Sequence, residues 1–374
     1  MVRDVRKLTL AEASAILVGT QIGAGVLGLP YALKDEGVLL GVLIVIITGL
    51  LTLLTALFVL EVAAQSGGGS LSKLAEKHLG KAGGILMFLS ISVLAYGALI
   101  AYIAGSADIL SSLFGLNPKI GALLFWLLMS TVILMGLKAS GEAELLLNFI
   151  LLGALAFSII LMMPKVNVSN LSYLNSSAIT RSIGVAVFAY VSHMVVPEML
   201  RGLEDIKKTT RALFIGYILP MMFYAFFVFA FVGALGLDTP ELATSALERF
   251  YGGLGRMLGL LLPLAAICTS YIGIGLSQMD NIKEVFRIDK GKAWLLTVVP
   301  PLLFYFLGME SFVSALWVAG TFGGLLYAGI LPTLMYLKIK RTCEELHLPL
   351  HHSFAYLSGL LFLLVLVYSI FSMV

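Results

Sequence analysis

The sequence predicts an all-α integral membrane protein of eleven transmembrane helices. Three observations carry this. Of 374 residues 60% are hydrophobic and 12% charged, with a mean hydropathy of +1.02, whereas a soluble domain carries about 25% charged residues. The apolar runs last about 20 residues or more, the length of a helix across a bilayer, where a β-barrel would show alternating strands of roughly 10 residues. Lys and Arg collect on alternate loops, as they do when one side is cytoplasmic. This composition excludes a soluble enzyme. A net charge of +3 without a basic tract excludes a disordered or nucleic-acid-binding chain.

The spans fall at 11–34, 38–64, 83–112, 119–137, 145–163, 180–200, 211–236, 255–282, 293–309, 311–337 and 351–373. The first follows Arg3, Arg6 and Lys7 and continues without a small-residue cleavage site, so it reads as a span and not as a signal peptide. Lys34, Asp35 and Glu36 part it from the second. Lys73, Lys77 and Lys81 precede the third, Lys119 the fourth, and Lys138, Glu142 and Glu144 the fifth. The loop before the sixth holds Lys165 and three Asn-x-Ser matches at Asn167, Asn170 and Asn175, which a Ser/Asn-rich loop readily yields by chance. Arg201, Lys207, Lys208 and Arg211 precede the seventh, Arg249 and Arg256 the eighth, and Lys283, Arg287, Lys290 and Lys292 the ninth. Glu310 lies between the ninth and tenth, and Lys338, Lys340 and Arg341 follow the tenth. Eighteen of the 24 Lys and Arg thus fall on the side of the N-terminus. The expected topology is a multi-pass plasma-membrane protein with a cytoplasmic N-terminus and an extracellular C-terminus.

Two spans are interrupted. The first contains "VGTQIGAGVLGLP", in which Gly19, Gly23, Gly25, Gly28 and Pro30 surround Thr20 and Gln21. A small-residue packing face is the simpler reading, but Gln at mid-membrane is costly, and unwound backbone is tolerated where it lines protein or a wet cavity. The sixth contains "VFAYVSHMVVPEML", where Pro197 frees the carbonyl one turn earlier. Its His193 is an intramembrane ionisable group and so a functional candidate, although a neighbouring carbonyl could equally satisfy it. Each half of five helices opens on a broken helix, and the halves run in opposite directions. That is the sequence sign of an inverted repeat, with residues 1–163 and 164–340 as the repeats and 341–374 as an additional helix. Unwound N–H groups at a half-helix start suit a carboxylate, and unwound carbonyls suit an ammonium group or a cation. A zwitterionic amino acid offers both charges.

With these motifs the sequence resembles the amino acid–polyamine–organocation superfamily, whose architecture is the leucine-transporter (LeuT) fold. "GTQIGAGVLGLPYAL" is similar to the amino acid/auxin permease group. His193 with Pro197, "RGLEDIKKTTRALFIGYILP" and "CTSYIGIGLSQMDNIKE" are similar to the hydroxy and aromatic amino acid permeases, which include tyrosine and tryptophan permeases. One departure is Val191, where related permeases often have Gly. The resemblance implies a substrate carboxylate on the amides of Gly23, Ala24 and Gly25, and an ammonium group on carbonyls near Phe188 and Tyr190. It further implies a side-chain pocket of Gln21, Phe188, Ser192 and His193, with Tyr96 and Tyr102 in reach from the third span. Trp317 and Phe322 are candidate outer-gate aromatics.

Ala266, Thr269 and Ser270 share one helix face. With the carbonyls of Gly19 and Ile22 they resemble the sodium site of the fold, and hard oxygens suit a hard cation. The expected coupling ion is Na⁺. The alternative is H⁺, since similar aromatic permeases are regarded as proton symporters and His193 titrates near neutrality. No covalent cofactor is expected. The function expected is a symporter importing a neutral L-amino acid, aromatic or small and polar, by alternating access in the lipid bilayer, with a monomeric transport unit. The alternative is an amino-acid sensor that binds without transport. A membrane enzyme would need acids, His or Cys clustered at one depth. Glu198 and Asp280, pairing with Arg201 and Lys283, are candidates for an inner gate. His347, His351 and His352 read as loop histidines, and Cys268 and Cys343 as unpaired.

Overall fold

Why this chain breaks its helices where it does can be followed residue by residue in a computed structural model. It describes residues 7–136, 141–176, 179–343, 345–348 and 350–372, with 141–148 as backbone alone. Arg3, Arg6, Lys138 and the side chains of Glu142 and Glu144 lie outside the described residues. Helix α1, Leu10–Gln21, opens on a capping box. The Thr9 hydroxyl accepts the Glu12 N–H at 3.2 Å, and the Glu12 carboxylate accepts the Thr9 N–H at 2.9 Å. The helix stops at Ile22 and Gly23, and the chain resumes as a 3₁₀ turn, Ala24–Gly28, and α2, Leu29–Leu33. The two halves are bent by 43°. Pro30 sits in the first turn of α2, where its missing N–H is no loss.

Long helices follow: α3, Val38–Ser66; α4, Leu71–Phe114; α5, Pro118–Met135; α6, Gly141–Met162; and the single turn α7, Val168–Leu171. The second half begins with α8, Ile179–Tyr190, which breaks at Ser192 into a 3₁₀ turn, His193–Val195, before α9, Val196–Leu203. Then come α10, Ile206–Leu235; α11, Leu247–Phe286; and α12, Lys290–Phe306. The last group is α13, Phe312–Val318; a π-helical stretch, Ala319–Ile330; α14, Leu331–Thr342; and α15, His352–Phe371.

Among the described residues eight helices are long and apolar enough to cross a membrane, and nine if α1 and α2 count as one broken span. The runs expected at 145–163 and 293–309 are also helical, as α6 with 22 residues and α12 with 17. The protein is therefore an all-helical, multi-pass membrane protein. Helix α15 buries 22% of its apolar window and α4 buries 67%, so α15 stands at the periphery and its exposed Leu360, Leu364 and Phe371 face lipid. Helices α3, α4, α8 and α10 and the π-helical stretch form the interior.

One close approach sets the spacing there. A Cβ on Gly320 would lie 1.8 Å from the carbonyl oxygen of Gly184, so the π-helical backbone rests directly on α8. The expected inner-gate pairs are local. Glu198 meets Arg201 at 3.8 Å and Asp280 meets Lys283 at 3.7 Å, each three residues away on its own helix. Such pairs on the surface contribute about 0–1 kcal/mol and bridge nothing. Ties between elements at that end are Lys7 with Glu204, at 3.2 Å, and Lys73 with Glu284. Asp205 and Asp289 cap α10 and α12 by accepting the N–H groups of Lys208 and Lys292, both at 3.0 Å. Those backbone bonds hold both carboxyls below their usual range.

Candidate functional site

The two breaks meet. Ile22 (φ −82°, ψ 71°) and Gly23 (φ −117°, ψ −157°) leave helical geometry in the first, and Ser192 (φ −145°, ψ 12°) in the second. A broken helix frees backbone groups that must find partners when buried. Three side chains from other helices supply them. The Tyr224 hydroxyl on α10 lies 2.7 Å from the carbonyl of Gln21 and 3.1 Å from that of Ala189, so it joins the C-terminal ends of α1 and α8. The Tyr327 hydroxyl, from the π-helical stretch, accepts the Met194 N–H at 2.7 Å. The Ser270 hydroxyl on α11 accepts the Ala24 N–H at 3.2 Å.

Between the breaks runs a buried polar chain. Gln21 Nε2 donates to Ser192 Oγ at 3.0 Å, and Ser192 Oγ donates to the Tyr217 hydroxyl at 3.0 Å. Gln21 Oε1 is left without a partner. His193 is fully buried. Its Nε2 lies 3.0 Å from the Thr55 hydroxyl, and its Nδ1 has no partner. The Thr55 hydroxyl also reaches the carbonyls of Leu51 and Thr52, at 3.2 and 3.1 Å. With its one proton on a carbonyl, as is usual for Thr in a helix, it accepts from Nε2–H and leaves the Nδ1 lone pair free. Tyr217 and Tyr327 stand edge-on to the imidazole.

Aromatic rings close the surroundings. A Cβ on Gly25 would meet the Phe188 ring at 2.7 Å, so glycine lets that ring lie on the unwound backbone. The Tyr190 ring tilts against Tyr224 at 5.1 Å, and its buried hydroxyl is without a partner.

The residues expected to hold a cation are arranged as follows. Thr269 Oγ1 bonds back to the carbonyls of Ala265 at 3.2 Å and Ala266 at 3.0 Å. Tyr102, fully enclosed, has its hydroxyl against Ser270. Gly19 and Ile22 border an apolar cavity of about 160 Å³ between α1, α6 and α10, together with Ser14 and Leu152. All five members are hydroxyl or carbonyl oxygens, the class of donor a hard cation takes. Asn148 on α6 has its side chain outside the described residues.

The structure therefore brings together Gln21, Ala24, Gly25, Phe188, Tyr190, Ser192, His193 and Ser270. Tyr96 is turned elsewhere, since its hydroxyl donates to the Leu296 carbonyl on α12 at 2.7 Å. Trp317 and Phe322 form an edge-to-face pair at 6.0 Å. Sequence reasoning did not single out Tyr217, Tyr224 or Tyr327. A tyrosine inside an apolar span reads as packing, and only the folded chain shows where its hydroxyl ends. Away from the breaks, His347 bonds to Glu61 and the rings of His351 and His352 meet edge to face. No group of three or more His, Cys, Asp or Glu able to hold a metal occurs among the described residues. Cys268 and Cys343 are free thiols.

Comparison with known proteins gives the family and the fold. Residues 6–373 match the tryptophan/tyrosine permease family. The tyrosine-specific transport system 1 of Haemophilus influenzae is 27% identical over 360 residues, covering 89% of both chains. Glutamine transporter 2 of Aliivibrio fischeri is 26% identical over 360 residues, covering 91% of this chain and 92% of that one. Among solved structures, the manganese transporter of Eremococcus coleocola superposes with a TM-score of 0.68 at 16% identity, covering 99% of this chain and 90% of that one. That likeness establishes the fold, the LeuT-type architecture.

Proposed function

The chain belongs to the tryptophan/tyrosine permease family, a family of transporters and not of enzymes, and from that premise we propose that it imports a neutral L-amino acid by cation-coupled alternating access. Relatives named for tyrosine and for glutamine transport support the substrate class. The observation that carries the reading is the junction of the breaks: Gln21 bonded to Ser192 across 171 residues of chain, with Gln21 Oε1 buried and unpaired. A buried acceptor without a partner is expensive, and a substrate carrying a donor at its side chain would satisfy it.

In this reading the carboxylate sits on the amides of Gly23, Ala24 and Gly25, displacing the Ser270 hydroxyl from Ala24. The ammonium group sits on the carbonyls near Phe188 and Tyr190. Phe188 closes over the zwitterion, and Gln21, Ser192 and His193 read the side chain. Among the described residues no Asp, Glu, Lys or Arg side chain is placed to neutralise a charged substrate, so arginine and glutamate are disfavoured. The architecture behind this is eleven spans arranged as two inverted repeats of five plus a last helix, with the N-terminus cytoplasmic, the C-terminus outside and the monomer as the transport unit. The first two helices of each repeat rock against the rest about the fixed site.

The coupling ion in this proposal is Na⁺, held by the oxygens of Gly19, Ile22, Ala266, Thr269 and Ser270. One observation favours the second reading, a proton: the free Nδ1 of His193 beside the substrate pocket. Uptake of labelled amino acids into proteoliposomes tests both. Accumulation that follows an inward Na⁺ gradient and falls at least tenfold in Thr269→Ala supports the oxygen cage. Accumulation that follows an inward proton gradient and is lost in His193→Gln, with Thr269→Ala unaffected, replaces Na⁺ by H⁺. Saturable binding with no flux under either gradient would sink the transporter reading.

A further inference from the structure

On the orientation proposed above, the turn between α2 and α3 lies at the outer face. Glu36 in that turn is completely buried. Neither carboxyl oxygen has a hydrogen-bond partner among the described residues. The Ser182 side chain lies against the carboxyl, and the charges nearest it are Asp35 and Arg181.

Both cations within reach are committed elsewhere. Arg181 Nη2 donates to the Ser314 hydroxyl at 3.3 Å, and its guanidinium lies 5.8 Å from the centre of the Tyr31 ring. Lys34 Nζ lies 4.1 Å from the centre of that ring and donates to the Thr239 carbonyl at 3.4 Å. The segment before α8 covers the turn: the Asn175 N–H donates to the Glu36 carbonyl at 3.3 Å, and Tyr173 packs over Gly37.

A carboxylate buried without a paired counter-ion is among the most costly groups a protein can bury, while the neutral acid costs far less. Burial pushes the Glu36 carboxyl above its usual range, against the smaller pull of the Ser182 side chain and of its own backbone N–H, while the charges of Asp35, which raises it, and Arg181, which lowers it, count for less.

We propose that Glu36 is a proton-binding site of the outer face, occupied while the segment before α8 is packed over the turn and emptied to the outside when that cover lifts. The second half rests on the alternating-access reading, and the first does not. The packed arrangement binds the proton more tightly, so external acid favours it. That advantage is complete below the carboxyl's value in the open form and is lost as pH rises through its value in the packed form. One linked proton changes the ratio of packed to open molecules at most about tenfold per pH unit.

Two measurements on the full chain in nanodiscs test this. Infrared difference spectra, wild type minus Glu36→Gln, should show a protonated-carboxyl band that persists above the pH at which an exposed glutamate loses its proton and disappears as pH is raised further. Spin labels at the exposed positions Leu39, just after the turn, and Leu174, in the segment that covers it, should report a packed population that falls with rising pH in wild type and stays fixed in Glu36→Gln. Should that variant fail to fold, Glu36→Asp keeps the acid and should keep the pH response. A missing carboxyl band, or a pH response in Glu36→Gln equal to that of wild type, overturns the proposal. Loss of amino-acid uptake with the carboxyl band intact would count against the transport reading and leave the proton site supported.

Discussion

A single hydroxyl, that of Tyr224, serves the carbonyls of Gln21 and Ala189 at once. Tyr224→Phe keeps the ring and strands both acceptors at the junction of the breaks. The cost expected for an unsatisfied buried group is about 1–3 kcal/mol, read as a lower thermal midpoint in detergent. Because the loss falls on the ends of both half-helices, uptake should drop by more than the folded fraction does. Equal losses of the two would make Tyr224 an ordinary packing residue. The polar members of this site were legible in the sequence for a physical reason. Gln21, Ser192 and His193 stand where lipid tolerates no unsatisfied group, so each demanded a partner or a cavity. Ala24 and Gly25 were legible through the glycines around them. Tyr217, Tyr224 and Tyr327 were not, because the apolar body of a tyrosine sits comfortably in any span and the chain has 14 of them. Tyr96 shows the converse, a tyrosine expected at the pocket whose hydroxyl is taken by a carbonyl of α12.

At the scale of elements, the two breaks are legible from Gly, Pro and polar residues inside a span, whereas the π-helical stretch Ala319–Ile330, with Gly320, Gly323, Gly324 and Gly329 but no such polar group at its centre, reads as continuous helix. Its wide turns are fixed by what it touches. Gly320 rests on the Gly184 carbonyl, and a Cβ on Gly323 would lie 2.5 Å from the Leu94 N. Gly320→Ala therefore cannot be absorbed by a side-chain rotation, since the obstacle is backbone. It should push α8 away and cost about 1–3 kcal/mol or more, lowering both folded yield and thermal midpoint. Gly153→Ala in α6 meets nothing within 4 Å and should stay within about 1 kcal/mol of wild type. If the two variants unfold alike, the contact between α8 and the π-helical stretch does not set the spacing. Two bends were also hidden in runs read as plain helix or loop. Gly80 (φ +78°) and Gly252 (φ +54°) turn α4 and α11 near their N-terminal ends, where the sequence shows only a glycine between Leu79 and Lys81 and the pair Gly252-Gly253.

The whole molecule needs its last helix tied down, and one buried acid does this. Glu61 on α3 is fully buried, and its carboxylate accepts the backbone N–H groups of His347 at 3.1 Å and Leu348 at 2.7 Å and the Gln65 amide at 2.9 Å. Composition and the placement of Lys and Arg made the membrane class legible, but this tie was not, because it joins residues 286 apart in the chain. A charged acceptor makes hydrogen bonds roughly twice as strong as a neutral one, so the carboxylate holds the linker between α14 and α15 against α3. Glu61→Ala leaves two N–H groups unpaired and should release that linker. In inside-out vesicles trypsin should then cut after Lys340 and Arg341 several-fold faster than in wild type, and in right-side-out vesicles it should cut neither protein there. Cleavage from the outside would reverse the orientation derived from the charged loops. Equal rates of cleavage from the inside would mean that the linker is held by the Tyr336 hydroxyl on the Leu350 carbonyl and by packing, with Glu61 merely filling its place.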